Sequence, residues 1–294
     1  YAMRDLGAKP SGVVALTADT LSAGPVPVSQ ATVGLRISNG SDAAFRADFV
    51  GTGSARASAS GNVSRGDSGA VNFRVDSARV DVDSVNSYSL GSPVHLESGA
   101  RGVTVDSVIL SRTQGGSVAI RNIAFLGDSI HGSLRTDGLS LALLELFGSG
   151  VSNIRGALTA RVDVSGTTAH PHLNGSIVVD SGAATIAPMG VRLDRLDANI
   201  ALSGDTVFLK KLSATTARER RGTLDVTGNV ALSQYDNPVF ALKATAQNFR
   251  AVDRRGLASL DVSTTSPISL TGPYSGARVT GAVRVDRGTV YIPE

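Results

Sequence analysis

Residues 166–186 read GTTAHPHLNGSIVVDSGAATI, and residues 272–292 read GPYSGARVTGAVRVDRGTVYI. The two stretches start 106 residues apart. Gly166, Gly175, Val179, Asp180, Gly182 and Ile186 of the first recur as Gly272, Gly281, Val285, Asp286, Gly288 and Ile292 of the second. Each copy predicts a strand, a tight turn at Asp-x-Gly and a second strand, because Asp and Gly tolerate turn dihedrals that β-branched neighbours reject. Self-similarity of long period in a chain of strands points to an array of repeated units.

Working outward from these copies, apolar and polar residues alternate almost everywhere. Phe73, Val75, Val80 and Val82 follow the pattern, as do Val103, Val105, Val108 and Leu110, then Val118, Ile120, Ile123 and Phe125. It resumes at Leu158, Ala160, Val162 and Val164, and again at Ala198, Ile200 and Leu202. Val207 and Leu209, then Leu224, Val226, Val230 and Leu232, then Phe240, Leu242 and Ala244 complete it. A period of two places one side of each strand in apolar surroundings and the other in water. Gly204-Asp205, Gly228-Asn229 and Asp286-Arg287-Gly288 supply turns or bulges between or within these strands. Successive antiparallel hairpins in one long curved sheet are the expected result. Roughly twenty strands at ~4.8 Å would extend such a sheet about 95 Å.

Composition agrees. Aromatic residues make up 4% of the 294, Trp is absent and Gly reaches 33, so Val, Ala, Leu and Ile must supply nearly all of the apolar surface. That suits a thin, repetitive β structure better than a compact core. The absence of Cys removes disulfides, thiolate catalysis and Cys-based metal sites together. A net charge of +3 with interspersed acidic residues gives no concentrated basic stripe, so nucleic acid is not an expected partner. The short clusters Arg218–Arg221 and Arg254–Arg255 read as solvated loops, with contact to anionic lipid head groups as the functional alternative. No apolar run approaches the ~20 residues that span a bilayer. The start at Tyr1 has no signal-peptide pattern, so an internal piece of a longer protein is expected, its anchor upstream.

One segment breaks the strand pattern. Residues 139–147 read LSLALLELF and place Leu139, Leu143, Leu146 and Phe147 on one helical face, with Asp137 as the expected cap and Gly148 and Gly150 as the stop. This helix would plug the apolar sheet face or sit at the mouth of a groove. Residues 123–130, IAFLGDSI, look like the nucleophile block of GDSL-type esterases, with Ser129 in the nucleophile's place. A serine nucleophile needs a base and an orienting carboxylate. The later histidines His131, His170 and His172 do not stand in the downstream Asp-x-x-His arrangement that such enzymes use, and Gly127-Asp128 reads as an ordinary hairpin turn. His170 and His172 flank Pro171 with no third metal ligand in view, and the second copy has Gly276 and Arg278 there. No catalytic residues, cofactors or metal sites are therefore expected.

The run from Gly166 to Gly182, the apolar stretch to Gly190 and the later GTLDVTGNVAL (222–232) resemble the TamB family of the translocation and assembly module, within the AsmA-like envelope proteins. The resemblance is best over 139–294 and implies an internal or C-terminal-region segment. It divides the chain into a β-rich segment at 1–138, the helix at 139–150 and a repeated β region at 151–294. It implies an all-β, elongated and curled antiparallel sheet forming a groove, the β-taco, with one short helix. It further implies a non-enzymatic periplasmic protein of a diderm bacterium, attached to the inner membrane through a segment outside this chain. Such a protein passes phospholipid between the membranes and supports outer-membrane assembly with a TamA-like barrel. On that reading Val162, Val164, Ile177, Val179, Leu202, Leu209, Leu224, Val226, Leu242, Val283 and Val285 line the groove and meet acyl chains. Shielding about 0.8 kcal/mol per methylene gives a chain of ~16 carbons on the order of 12 kcal/mol relative to exposure. The alternative expectation is a chaperone-like module that holds nascent outer-membrane or autotransporter strands at its sheet edges. A secreted β-solenoid adhesin predicts shorter and more uniform coils.

Overall fold

The computed structural model describes residues 2–4, 11–23, 26–38, 42–51, 55–66, 69–147, 150–216, 222–254 and 256–290. It is all-β, and every described strand pair is antiparallel. The chain divides into two compact units, the first comprising residues 1–139, 146–148 and 165–168, the second residues 140–145, 149–164 and 169–294.

The first unit contains β1 (Ala2–Arg4), β2 (Ser11–Ala23), β3 (Val26–Ile37), β4 (Asp42–Gly51), β5 (Arg56–Arg65), β6 (Val71–Asp81), β7 (Ser87–Leu90), β8 (Val94–Gly99), β9 (Gly102–Arg112), β10 (Ser117–Leu126) and β11 (Ser129–Ser140). Neighbours in sequence pair, except that β7 and β8 share one place between β6 and β9. Register brings apolar residues into rows across the strands. Ala43, Val63, Phe73, Leu96, Val105 and Ile123 form one row, and Ala31, Phe49, Ala57, Val80 and Tyr88 another. The opposite face carries Arg-x-Asp pairs: Arg46–Asp48 at 3.0 Å, Arg74–Asp76 at 2.8 Å and Arg79–Asp81 at 2.9 Å. Residues two apart on a strand share a face, so each such pair marks the wet side. Being exposed, each adds about 0–1 kcal/mol.

The second unit contains β12 (Val151–Gly166), β13 (Pro171–Ile186), β14 (Val191–Gly204), β15 (Thr206–Thr216), β16 (Gly222–Ala231), β17 (Val239–Gln247), β18 (Phe249–Arg254), β19 (Ala258–Pro273) and β20 (Arg278–Val290). β13 to β17 pair in sequence. β19 is long enough to pair with β17 through its C-terminal half and with β18 through its N-terminal half, and β20 pairs with β19. The bend between β17 and β18 falls at Asn248, whose φ is 46°. Asn enters this left-handed region more readily than most residues. The bend carries β18 over the strand ends of β14 to β16, where Phe249 packs against Val191, Leu193 and Ala214. The Asp253 amide donates to the Met189 carbonyl at 2.9 Å, joining β18 to the β13–β14 turn. The sheet of this unit therefore curls onto itself at that end. Arg250, with its side chain 14% exposed, holds the bend by donating to Asp261 at 3.1 Å and to Asp253 at 3.3 Å.

Two local expectations change. The Asp-x-Gly sites are bulges within single strands: the β13–β14 register shifts between Val179 and Gly182, and the β19–β20 register between Asp261 and Val262. In the first copy Ser181 takes φ 51° and donates its amide to the Asp197 carboxylate at 2.9 Å, absorbing one extra residue without reversing the chain. The expected helix is a 3-10 helix, Leu141–Phe147, because β11 runs on to Ser140 and pairs Asp137 with Ser117. Asp137 thus caps nothing here; the Ala142 amide donates to the Ser140 hydroxyl at 3.3 Å. Leu141 and Ala142 are buried, Leu143 is half-buried and Leu144 is exposed, while the side chains of Leu146 and Phe147 lie outside those described. A second, three-residue 3-10 helix, Tyr274–Gly276, precedes β20.

Candidate functional site

The second unit's rows define one apolar face. Ile177, Ile200, Leu209, Gly228, Leu242 and Leu270 are successive cross-strand partners from β13 to β19, and Val179, Ala198, Leu212, Val226, Ala244 and Ile268 form the next row. Leu202 pairs with Gly175 and Val207, and Leu224 with Ala214 and Ala246, on the same face. The other face carries Asp225, Thr227, Lys243 and Thr245, all exposed.

Of the residues expected to line a groove, Val162 and Leu202 are buried, and Val164, Ile177, Val179, Leu209, Leu224, Val226 and Leu242 are half-buried. Register places Ile177, Val179, Leu202, Leu209, Leu224, Val226 and Leu242 together on the apolar face. Val283 and Val285 pair with Thr264 and Val262 and are 54% and 56% exposed, since β20 has β19 as its one described neighbour. Sequence reasoning passed over Val191, Leu193, Ala214 and Phe249, which form the buried cluster at the curled end. The alternation of Val191 and Leu193 was a usable signal; the arrival of Phe249 from β18 was not.

The other candidates lie apart from this face. Gly127-Asp128 forms the two-residue turn of the β10–β11 hairpin, Leu126 pairing with Ser129, and Gly127 has φ 58°. Ser129 and His131 are exposed on β11. His170 and His172 are exposed around Pro171, and no group of three metal-ligating side chains occurs among the described residues. Arg218–Arg221 and Arg255 lie outside the described residues; Arg254 is exposed at the end of β18.

The first two glycines of the motif take the same conformation in both copies, whereas Ser181 has a positive φ and its counterpart Arg287 does not, and Ile292 lies outside the described residues. Gly166 and Gly272 have φ 99° and 98°, and Gly175 and Gly281 have φ 143° and 139°. A Cβ at Gly281 would meet the Ile268 Cα at 2.8 Å and the Pro267 carbonyl at 2.9 Å, and one at Gly175 would strike the Arg161 carbonyl oxygen. Glycine is needed at this position because the adjoining strand approaches too closely for a side chain. The second copy lies within a stretch that a known family describes. Residues 211–294 match the TamB C-terminal domain. The match runs from the middle of β15 through β20, a shorter span than the resemblance from Leu139. No curated protein and no solved structure matches the chain. TamB proteins belong to the envelope of diderm bacteria and are generally non-enzymatic. The TamB match and the all-β antiparallel sheet fit a lipid or protein transport module.

Proposed function

We propose that this chain is part of a periplasmic bridge that carries phospholipid between the inner and outer membranes, with acyl chains lying along the apolar face of a β-taco groove. One observation carries the reading. Rows of Val, Leu and Ile face one side of the sheet, yet Ile177, Val179, Leu209, Val226 and Leu242 keep part of their surface exposed, with no second layer over them among the described residues. A packed core would bury such side chains fully. Aliphatic walls shield methylenes without gripping a head group, which permits movement along the face. An inner-membrane anchor outside this chain and a TamA-like barrel at the outer membrane complete the proposal, and no cofactor enters it.

A photo-crosslinker at Val226, with the outward Thr227 as control, tests it in cells. Phospholipid adducts at Val226 and none at Thr227 are expected. Polypeptide adducts without lipid at Val226 overturn the lipid reading. They would favour the second function, capture of nascent outer-membrane strands, for which β20 speaks: all thirteen of its residues are exposed and its ladder is described on one side.

A further inference from the structure

Three segments of the second unit are joined at its curled end. The β13–β14 turn presents Met189, 50% exposed; the β18–β19 turn presents Leu257, 54% exposed; and β20 presents Val290, 69% exposed. The segments are fastened together. The Asp253 amide donates to the Met189 carbonyl, the Leu257 amide donates to the Arg254 carbonyl at 3.1 Å, and Val290 pairs with Ala258, the residue after Leu257. A Cβ at Gly190 would strike the Asp253 carbonyl oxygen, so the two turns touch backbone to backbone.

Turn tips are ordinarily polar, and a single exposed apolar residue would need no explanation. Here three large apolar side chains stand on segments joined by backbone bonds, although Met189 and Val290 are about a hundred residues apart in the chain. The charges around them are lopsided. The acidic groups Asp253 and Asp261 both pair with Arg250, while Arg254 and, further along β20, Arg287 are exposed.

We propose that this end docks onto the surface of an anionic phospholipid bilayer. Met189, Leu257 and Val290 enter the interfacial layer and Arg254 meets lipid phosphate. Two of the side chains stand on turns and the third at the end of a strand, single apolar anchors that suit a fluid partner better than a protein pocket. Arginine beside them supplies the attraction that a neutral apolar tip lacks. The proposal stands whether or not the sheet carries lipid, because docking is read without any transfer step.

The chain contains no Trp, so Leu257→Trp provides a lone fluorescent reporter. With phosphatidylcholine vesicles containing a third phosphatidylglycerol, its emission should move to the blue, less so without the anionic lipid or at high salt. Tyr274→Trp, 69% exposed just past the other end of β19, should not move. No shift at 257, or an equal shift at 274, overturns the proposal. Met189→Asp with Leu257→Asp should lower co-flotation with the anionic vesicles at least tenfold; flotation equal to that of the parent chain also overturns it.

Discussion

β13 and β20 carry the same motif and lead different lives. Both hold their second motif glycine at a φ near 140° and both bulge at Asp-x-Gly. β13 lies between the β12 backbone, which crowds Gly175, and β14, which pairs along it, so Ile177 and Val179 are half-buried. β20 pairs with β19 alone among the described strands, and its Val283 and Val285 remain mostly exposed. The motif thus specifies a bulged strand that needs a close neighbour at one glycine. It does not specify how many neighbours the strand obtains.

The contrast can be broken at its glycines. Gly175→Val forces a β-branched residue into φ 143° and against the Arg161 carbonyl, between two strands that cannot both move; about 3 kcal/mol or more should be lost. Gly281→Val meets the same conflict on a strand free to shift outward, so it should cost less than half as much. Urea unfolding of the two variants, read by amide protection in β13 and β20, checks the ranking. Equal losses would mean that β20 is as confined as β13.

Phe249 ties the copies together, since it packs on the cluster that also takes Ile186 of the first copy and pairs with Val262, the partner of Val285 in the second. Phe249→Ala should cost about 2–3 kcal/mol, below the range for a fully enclosed Phe. It should also release the Asp253 amide to exchange, because its bond to Met189 depends on the bend staying closed.

Smaller effects separate the two apolar faces. Val179→Arg should destabilise by about 1–3 kcal/mol, since Ala198 opposite it is buried and the guanidinium must escape past the neighbouring row. Val285→Arg, at the equivalent position, should stay within about 0.5 kcal/mol in thermal melts.

The smallest effect concerns Asp286. Its carboxyl is held below the ordinary carboxylate range first by the Ser263 hydroxyl and then by Arg284, whose Nε lies 2.9 Å away. A depressed value in the folded state means that the contribution is present at neutral pH and fades as pH falls below the ordinary value of 3.8. Protection of β20 amides should drop across that acid window in the parent chain and show no such drop in Asp286→Asn.

Strands were the most legible part of this chain. The alternation at Phe73 and Val75, at Ile200 and Leu202 and at Leu224 and Val226 falls in β6, β14 and β16, because a period of two is a local property of the backbone. The turn at Gly204-Asp205 was legible for the same reason, and joins β14 to β15 with Gly204 at φ 64°. The helix was misread in its cap and type, since a strand running to Ser140 outcompeted the local signal of Asp137. For the apolar face, Val226 could be named from its strand but its row could not. Leu212 comes opposite Val226 only because β15 bulges between Leu209 and Leu212, a shift that no count along either strand reveals.

By itself the sequence determined an all-β chain, the antiparallel hairpins, the side of each strand that repels water, and a backbone repeat anchored on glycines. These follow from side-chain alternation and from dihedrals that glycine alone takes without strain. Tertiary structure decided which copy of the repeat is flanked on both sides, where the sheet bends back at Asn248, and that Phe249 closes one end while the β13–β14 turn is bonded to the end of β18. Those outcomes depend on contacts between segments far apart in the chain, where pairing register and bulges, not local preference, set what meets what.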